Sequence, residues 1–122
     1  MAKKILIIDD EPHILKMVEA RLKAQGYDIV SACDGEEGLA KAAQEKPNLI
    51  ITDVMMPKVD GFEVCRRLRS DEALKHIPII MLTARGQAPD IKKGMEKGAD
   101  AYVAKPFEAA ALVGIIAGFI GT

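Results

Sequence analysis

Ile5-Leu6-Ile7-Ile8-Asp9-Asp10-Glu11-Pro12 is the stretch on which the fold turns. Four bulky apolar residues in a row, with no polar alternation, suit a strand buried on both faces. The acidic residues end that run. Pro12 suits a first helical turn, with Asp10 or Glu11 as its cap. The apolar spacing then becomes helical at Ile14, Leu15, Val18 and Leu22, and Gly26 is a natural stop.

The same unit recurs along the chain. Strands are predicted over 28–32, 48–53, 78–82 and 100–104. Helices are predicted over 34–46, where Asp34-Gly35-Glu36-Glu37 resembles a capping box, over 62–70 with Val64, Cys65 and Leu68 inward, over 90–97, and from Pro106 onward. Strand and helix alternate five times without a linker, which argues for one parallel sheet with helices on both faces. The 122 residues suffice for one core, so 1–122 is read as a single domain.

Apolar residues are 49% of the chain and charged residues 29%, with a net charge of −1. This is an ordinary globular composition and lacks the basic footprint of a nucleic-acid binder. Cys33 and Cys65 fall inside predicted elements and read as reduced, small core or half-core residues of a cytoplasmic protein. The apolar run after the basic start ends at Asp9, too short for a secretory signal, and no stretch has the length of a bilayer span.

Four of the five strands close on residues that can do chemistry: Asp9 and Asp10 after the first, Asp53 after Leu49-Ile50-Ile51-Thr52, Thr83 after Ile79-Ile80-Met81-Leu82, and Lys105 after Tyr102-Val103-Ala104. Ligands of such sheets sit at the carboxyl ends of the strands. Three carboxylates held close resist joint ionisation, and a hard cation such as Mg²⁺ relieves that. Asp53 can then act as a nucleophile toward phosphorus, with Lys105 and the Thr83 hydroxyl on the transferring oxygens. Singly, each residue has an ordinary reading: a helix cap for Asp10, a turn aspartate for Asp53, strand packing for Tyr102, a loop residue for His76, and a solvated helix face for Lys92, Lys93 and Lys97. The coincidence of Asp9, Asp10, Asp53, Thr83 and Lys105 at four strand ends is what points to a site.

These residues resemble, over 3 to about 120, the receiver (CheY-like) domain of bacterial response regulators. The resemblance is carried by Asp9-Asp10-Glu11, by Asp53-Val54-Met55-Met56-Pro57 with Asp60-Gly61, by Met81-Leu82-Thr83-Ala84-Arg85, and by Gly98 through Phe107. It implies a doubly wound sheet of order 2-1-3-4-5. It also implies that Asp53 takes a phosphoryl group from a histidine kinase or phosphotransfer protein. Asp10, Asp53 and the Met55 carbonyl would ligate Mg²⁺ directly, and Asp9 through water. Lys105 would pair with the phosphate, and Lys105–Pro106 would be a cis peptide. Thr83 would move toward the phosphoryl group and let Tyr102 turn inward. That remodels the face formed by the helix over 90–97, the last strand and the last helix, for a partner to read. Such a protein is a switch and not an enzyme acting on a separate substrate.

Met55 and Arg85 stand where the family tunes lifetime, and resemble the pair found in receivers of winged-helix transcription factors. Met55 cannot orient a water by hydrogen bonding, so a long-lived acyl phosphate is expected.

The last helix departs from the family. No charged residue follows Glu108. Leu112, Ile116, Phe119 and Ile120 share one face and are expected on the sheet, with Ala110, Ala111, Ile115 and Ala117 outward. Gly114 and Gly118 permit close helix approach. Ile115, Ala111, Gly114 and Gly118 therefore form the expected contact with a protein partner or a second copy. The reading is of a stand-alone receiver with protein partners, no direct nucleic-acid contact and no membrane span. Two rivals use a similar site. Haloacid-dehalogenase-like phosphatases need a second Asp two residues after the nucleophile, where Met55 stands. A flavin module on this fold is ill served by an edge lined with carboxylates.

Overall fold

The computed structural model describes residues 2–84, 98–105 and 107–121. Strands β1 (Lys4–Ile8), β2 (Asp28–Ala32), β3 (Leu49–Asp53), β4 (Ile79–Ala84) and β5 (Ala101–Lys105) form one sheet in the order β2-β1-β3-β4-β5. All four pairings are parallel. The expected doubly wound sheet of order 2-1-3-4-5 is therefore what the chain adopts. Among the described residues the helices are α1 (Pro12–Ala24), α2 (Gly35–Glu45), α3 (Gly61–Arg69) and α4 (Ala109–Ile120). The helix expected over 90–97, with Lys92, Lys93 and Lys97, lies outside the described residues. So do Arg85 and Pro106, and with Pro106 the expected cis peptide.

The continuous apolar strands are buried on both faces because the strand repeat of two divides them between two cores. Leu6, Ile8, Ile50, Ile79 and Met81 face Val64, Cys65 and Leu68 of α3. Ile5, Ile7, Leu49, Ile51, Ile80 and Leu82 face Leu15, Val18 and Leu22 of α1 and Leu112 and Ile116 of α4.

Helix ends follow local chemistry. The Asp34 side chain accepts a hydrogen bond from Glu37 N, and Glu37 accepts in return from Cys33 N, so the capping-box reading holds with a shift of one residue in the second bond. Asp60 caps α3 by accepting from Glu63 N. Gly26 leaves α1 in the left-handed region (φ 93°), the conformation a helix stop favours. The cap of α1 is Glu11, without a side-chain cap bond. Asp10 is therefore not the cap.

At the amino end of the sheet Arg69 gathers several segments. Its Nε donates to Gly98 O, its Nη1 to the carbonyls of Lys75 and Ile77, and its Nη2 to Asp100 Oδ2. Asp100 Oδ2 also accepts from Ile79 N. On the other face of the sheet Tyr27 Oη donates to Gly121 O at 2.7 Å and ties down the end of α4.

Three expectations need correction. Cys33 is exposed, beyond the last residue of β2, while Cys65 is buried, and both are free thiols. Phe119 is exposed, although Leu112 and Ile116 of the same stripe are buried. It stands in the last turn of α4. Ile115, expected outward, is half-buried and packs on the core shared with α1. The exposed surface of α4 is made of Ala110, Ala111, Gly114, Gly118 and Phe119.

Candidate phosphoryl and metal site

Asp9 follows β1 directly, and its backbone N–H bonds to Ala32 O of β2. Its side chain is fully buried. The Asp9 Oδ1 atom accepts from Glu11 N at 3.0 Å, which fixes the turn into α1. Asp10 between them is exposed. Asp53 closes β3, opposite Leu82 in register, and is 5% exposed. One ligand oxygen from each of Asp9, Asp10 and Asp53 lies within 4.8 Å of the others. Three carboxylates at that spacing, with open water on the Asp10 side, suit a hard oxygen-seeking cation that keeps part of its water shell. The donor set fits Mg²⁺.

Thr83 and Lys105 lie further along the same edge. Thr83 is buried and pairs with Ala104 of β5, and Lys105 pairs with Ala84. Both belong to their strands, which run slightly longer than the apolar pattern indicates because the backbone ladder continues past the last apolar residue. The Lys105 ammonium reaches back over the sheet to Asp53 Oδ2 at 3.1 Å, Asp9 Oδ2 at 3.2 Å and Glu11 Oε1 at 3.2 Å. Tyr102 is half-buried and packs against the core that holds Met81. The structure thus gathers Asp9, Asp10, Asp53 and Lys105 within contact range and puts Thr83 on the adjoining strand end. Met55 is at the rim, 61% exposed.

The electrostatics follow from crowding. Burial pushes the Asp53 carboxyl up to about 6, the negative charge of Asp9 adds to this, and Lys105 opposes it. Burial works against the Lys105 ammonium, but its hydrogen bond to Asp53 and the charges of Asp53 and Asp9 outweigh that and raise its pKa. An acidic pocket with one trapped cation has an unmet demand for positive charge.

The loop after β3 holds Asp53 from behind. Val59 N donates to Pro57 O at 2.8 Å while Lys58 adopts φ 66°, a tight three-residue turn of the rarer hand. That turn delivers Asp60 to its capping position and Gly61 against the strand, where Gly61 N bonds to Val54 O. Sequence reading missed two contributors. Glu11 could have been found from its place beside Asp9-Asp10. Gly61, quoted only as part of a motif, is demanded by backbone proximity.

A family model for the response regulator receiver domain matches residues 5–117. The chain is 50% identical over 107 residues to the alkaline phosphatase synthesis transcriptional regulatory protein PhoP of Bacillus subtilis, covering 88% of this chain and 44% of that protein. It is 52% identical over 105 residues to the DNA-binding dual master transcriptional regulator RpaA of Synechocystis, covering 86% and 44%. Among solved structures it is similar to the Vibrio cholerae chemotaxis protein CheY4, at TM-score 0.92 and 34% identity over 98% of this chain and 99% of that one. It is also similar to the receiver domain of a sensor histidine kinase from Pseudomonas aeruginosa PAO1, solved with a magnesium ion coordinated in its active-site cleft, at TM-score 0.91 and 31% identity over 100% of both chains. The protein belongs to the response regulator receiver domain family of two-component systems. Receiver domains are phosphoacceptors and not conventional enzymes. The chain spans less than half the length of the curated relatives it matches. Among the described residues no helix is long and apolar enough to cross a membrane.

Proposed function

We propose that Asp53 is the phosphoacceptor of this receiver and that its donor is the phosphohistidine of a kinase or phosphotransfer protein. One Asp53 oxygen attacks phosphorus as the P–N bond breaks. The electron pair leaves with the imidazole, which takes up a proton from solvent. The observation that carries this reading is Lys105 Nζ at 3.1 Å from a nearly buried Asp53, in a cluster of three carboxylates. Asp9, Asp10 and Asp53 would hold Mg²⁺, with the Met55 carbonyl completing the set. The ion would supply positive charge to the carboxylates and the phosphoryl oxygens. Lys105 donates to the phosphoryl group, and little covalent work remains beyond positioning.

Thr83, on the strand next to Asp53, reports the new group, and Tyr102 two strand positions from Ala104 responds. The altered face of β5 and α4 is read by a protein partner in the cytoplasm or by a second copy. Ala111, Gly114 and Gly118 are exposed on it. Ile115 contributes through the packing beneath. Residues 1–122 act as a single receiver unit.

The relatives named as transcriptional regulators support a second reading of the output. In it, DNA contact belongs to sequence outside the stretch this chain shares with them, and the expectation of no nucleic acid applies to the receiver unit alone.

Incubation with acetyl phosphate and Mg²⁺ tests the acceptor. A phosphoryl adduct seen by intact mass on the native protein and absent from Asp53→Asn is the expected result. An equal adduct on both would overturn it.

A further inference from the structure

We propose that Glu11 is a positioning residue that holds Lys105 in competition with an incoming phosphoryl group, and thereby limits how tightly the site takes one. The inference rests on the reading of Asp53 as acceptor and Lys105 as partner of the phosphoryl oxygens.

An ammonium has three donors, and here each meets a carboxylate: Asp53, Asp9 and Glu11. A phosphoryl oxygen that bonds to Lys105 must displace one of them. Asp9 and Asp53 are buried and belong to the carboxylate cluster, whereas the Glu11 side chain is 45% exposed at the mouth and lies outside that cluster. It is the acceptor that can leave at least cost. Lys105 would stay in place without it, because Asp9 and Asp53 hold it at 3.2 and 3.1 Å.

Local structure supports a role other than helix capping. Glu11 occupies the cap position of α1, where a short Asp, Asn or Ser side chain is the effective choice. Its own side chain makes no cap bond. One Glu11 oxygen goes to Lys105, and the other lies 3.5 Å from the exposed His13. An Asp at this position could cap the helix but would fall a methylene short of Lys105. The chain forgoes the cap and keeps the reach. The Glu11 backbone, bonded through its N–H to Asp9 Oδ1, starts that reach from a fixed point.

Removing the charge takes away a competitor for Lys105 and a negative group from the mouth that an anion must enter. Beryllofluoride, a phosphoryl mimic, is titrated by thermal shift at saturating Mg²⁺ against the native protein, Glu11→Gln and Glu11→Asp. The half-saturating concentration should fall about fivefold in Glu11→Gln, the scale expected for one partly solvated charge a few ångströms away, and by less in Glu11→Asp, which loses the reach to Lys105 but keeps its charge at the mouth. Without beryllofluoride, Glu11→Asp should melt at or above the native temperature because it regains a cap. A merely structural role predicts the opposite pairing, with binding unchanged and Glu11→Gln melting lower in proportion to lost packing. Unchanged or weakened binding in both variants, with the native protein binding normally, overturns the inference. Failure of the native protein to bind beryllofluoride at all would instead count against Asp53 as the acceptor.

Discussion

The backbone of Gly61 lies so close to Asp53 that a Cβ at position 61 would stand 2.3 Å from the Asp53 carbonyl oxygen and 2.9 Å from Val54 Cα. The first residue of α3 thus presses directly on the strand end that carries the acceptor. Both opposing atoms are backbone and cannot swing aside. Gly61→Ala should destabilise the fold by about 1–3 kcal/mol, as overpacking does, and shift the Asp53 carboxylate. Urea melts should show the lower midpoint, and acetyl phosphate labelling should slow by more than the unfolded fraction explains.

Asp53 should cost the cation-free protein stability. Its folded pKa, about 6, lies above the ordinary 3.8, so the folded state binds a proton that the unfolded state has released. Stability from this source is intact below about pH 3.8, falls as pH rises toward 6, and stays low above that. In chelator at pH 7.5, Asp53→Asn should be more stable than the native protein by about 1–3 kcal/mol, and the gap should close toward pH 4. Mg²⁺ should raise the native melting temperature and leave that of Asp53→Asn nearly unmoved. A gap that widens as pH falls would be the wrong sign.

Met55 is exposed at the rim and has no group to align a water. The acyl phosphate should last minutes in Mg²⁺ buffer. Met55→Asn supplies an amide at that place and should shorten the lifetime at least about tenfold, the scale of an oriented water. Loss of label from the native protein within seconds, with no phosphatase present, would contradict the assignment.

Gly114 lies inside α4, and nothing stands within 4 Å of where its Cβ would be. Gly114→Ala should stabilise the chain by up to about 1 kcal/mol, since alanine is the better helix former and has room. If α4 self-associates through this strip, the added methyl should also weaken the dimer in sedimentation. Ile115→Lys is a poor probe of that association, because it would strike the core beneath.

Element order, sheet order and the identity of the strand-end residues could be read from the sequence, because apolar runs and their polar terminators are local signals. The exact strand ends could not. Thr83 and Lys105 are polar yet stay in the ladder, since neighbouring backbone, and not hydropathy, decides where pairing stops. On α4 the helical phase alone misplaces Phe119 and Ile115. The helical phase places Phe119 with Leu112, but Phe119 sits in the final turn and stays exposed, while Ile115 finds cover from the neighbouring core. Glu11 stands beside Asp9-Asp10 and so is a legible candidate, but its bond to Lys105 spans 94 residues and only the fold sets it.

Arg69 binds the carbonyls of Lys75, Ile77 and Gly98 and the carboxylate of Asp100, and so clamps the starts of β4 and β5. Thr83 lies four residues beyond Ile79, roughly 13 Å along the strand at the usual rise. The ties that anchor these two strands and the groups that can do chemistry thus lie at opposite ends of the same ladder. A substitution at Arg69 would loosen the seating of β4 and β5 without touching any residue of the carboxylate cluster.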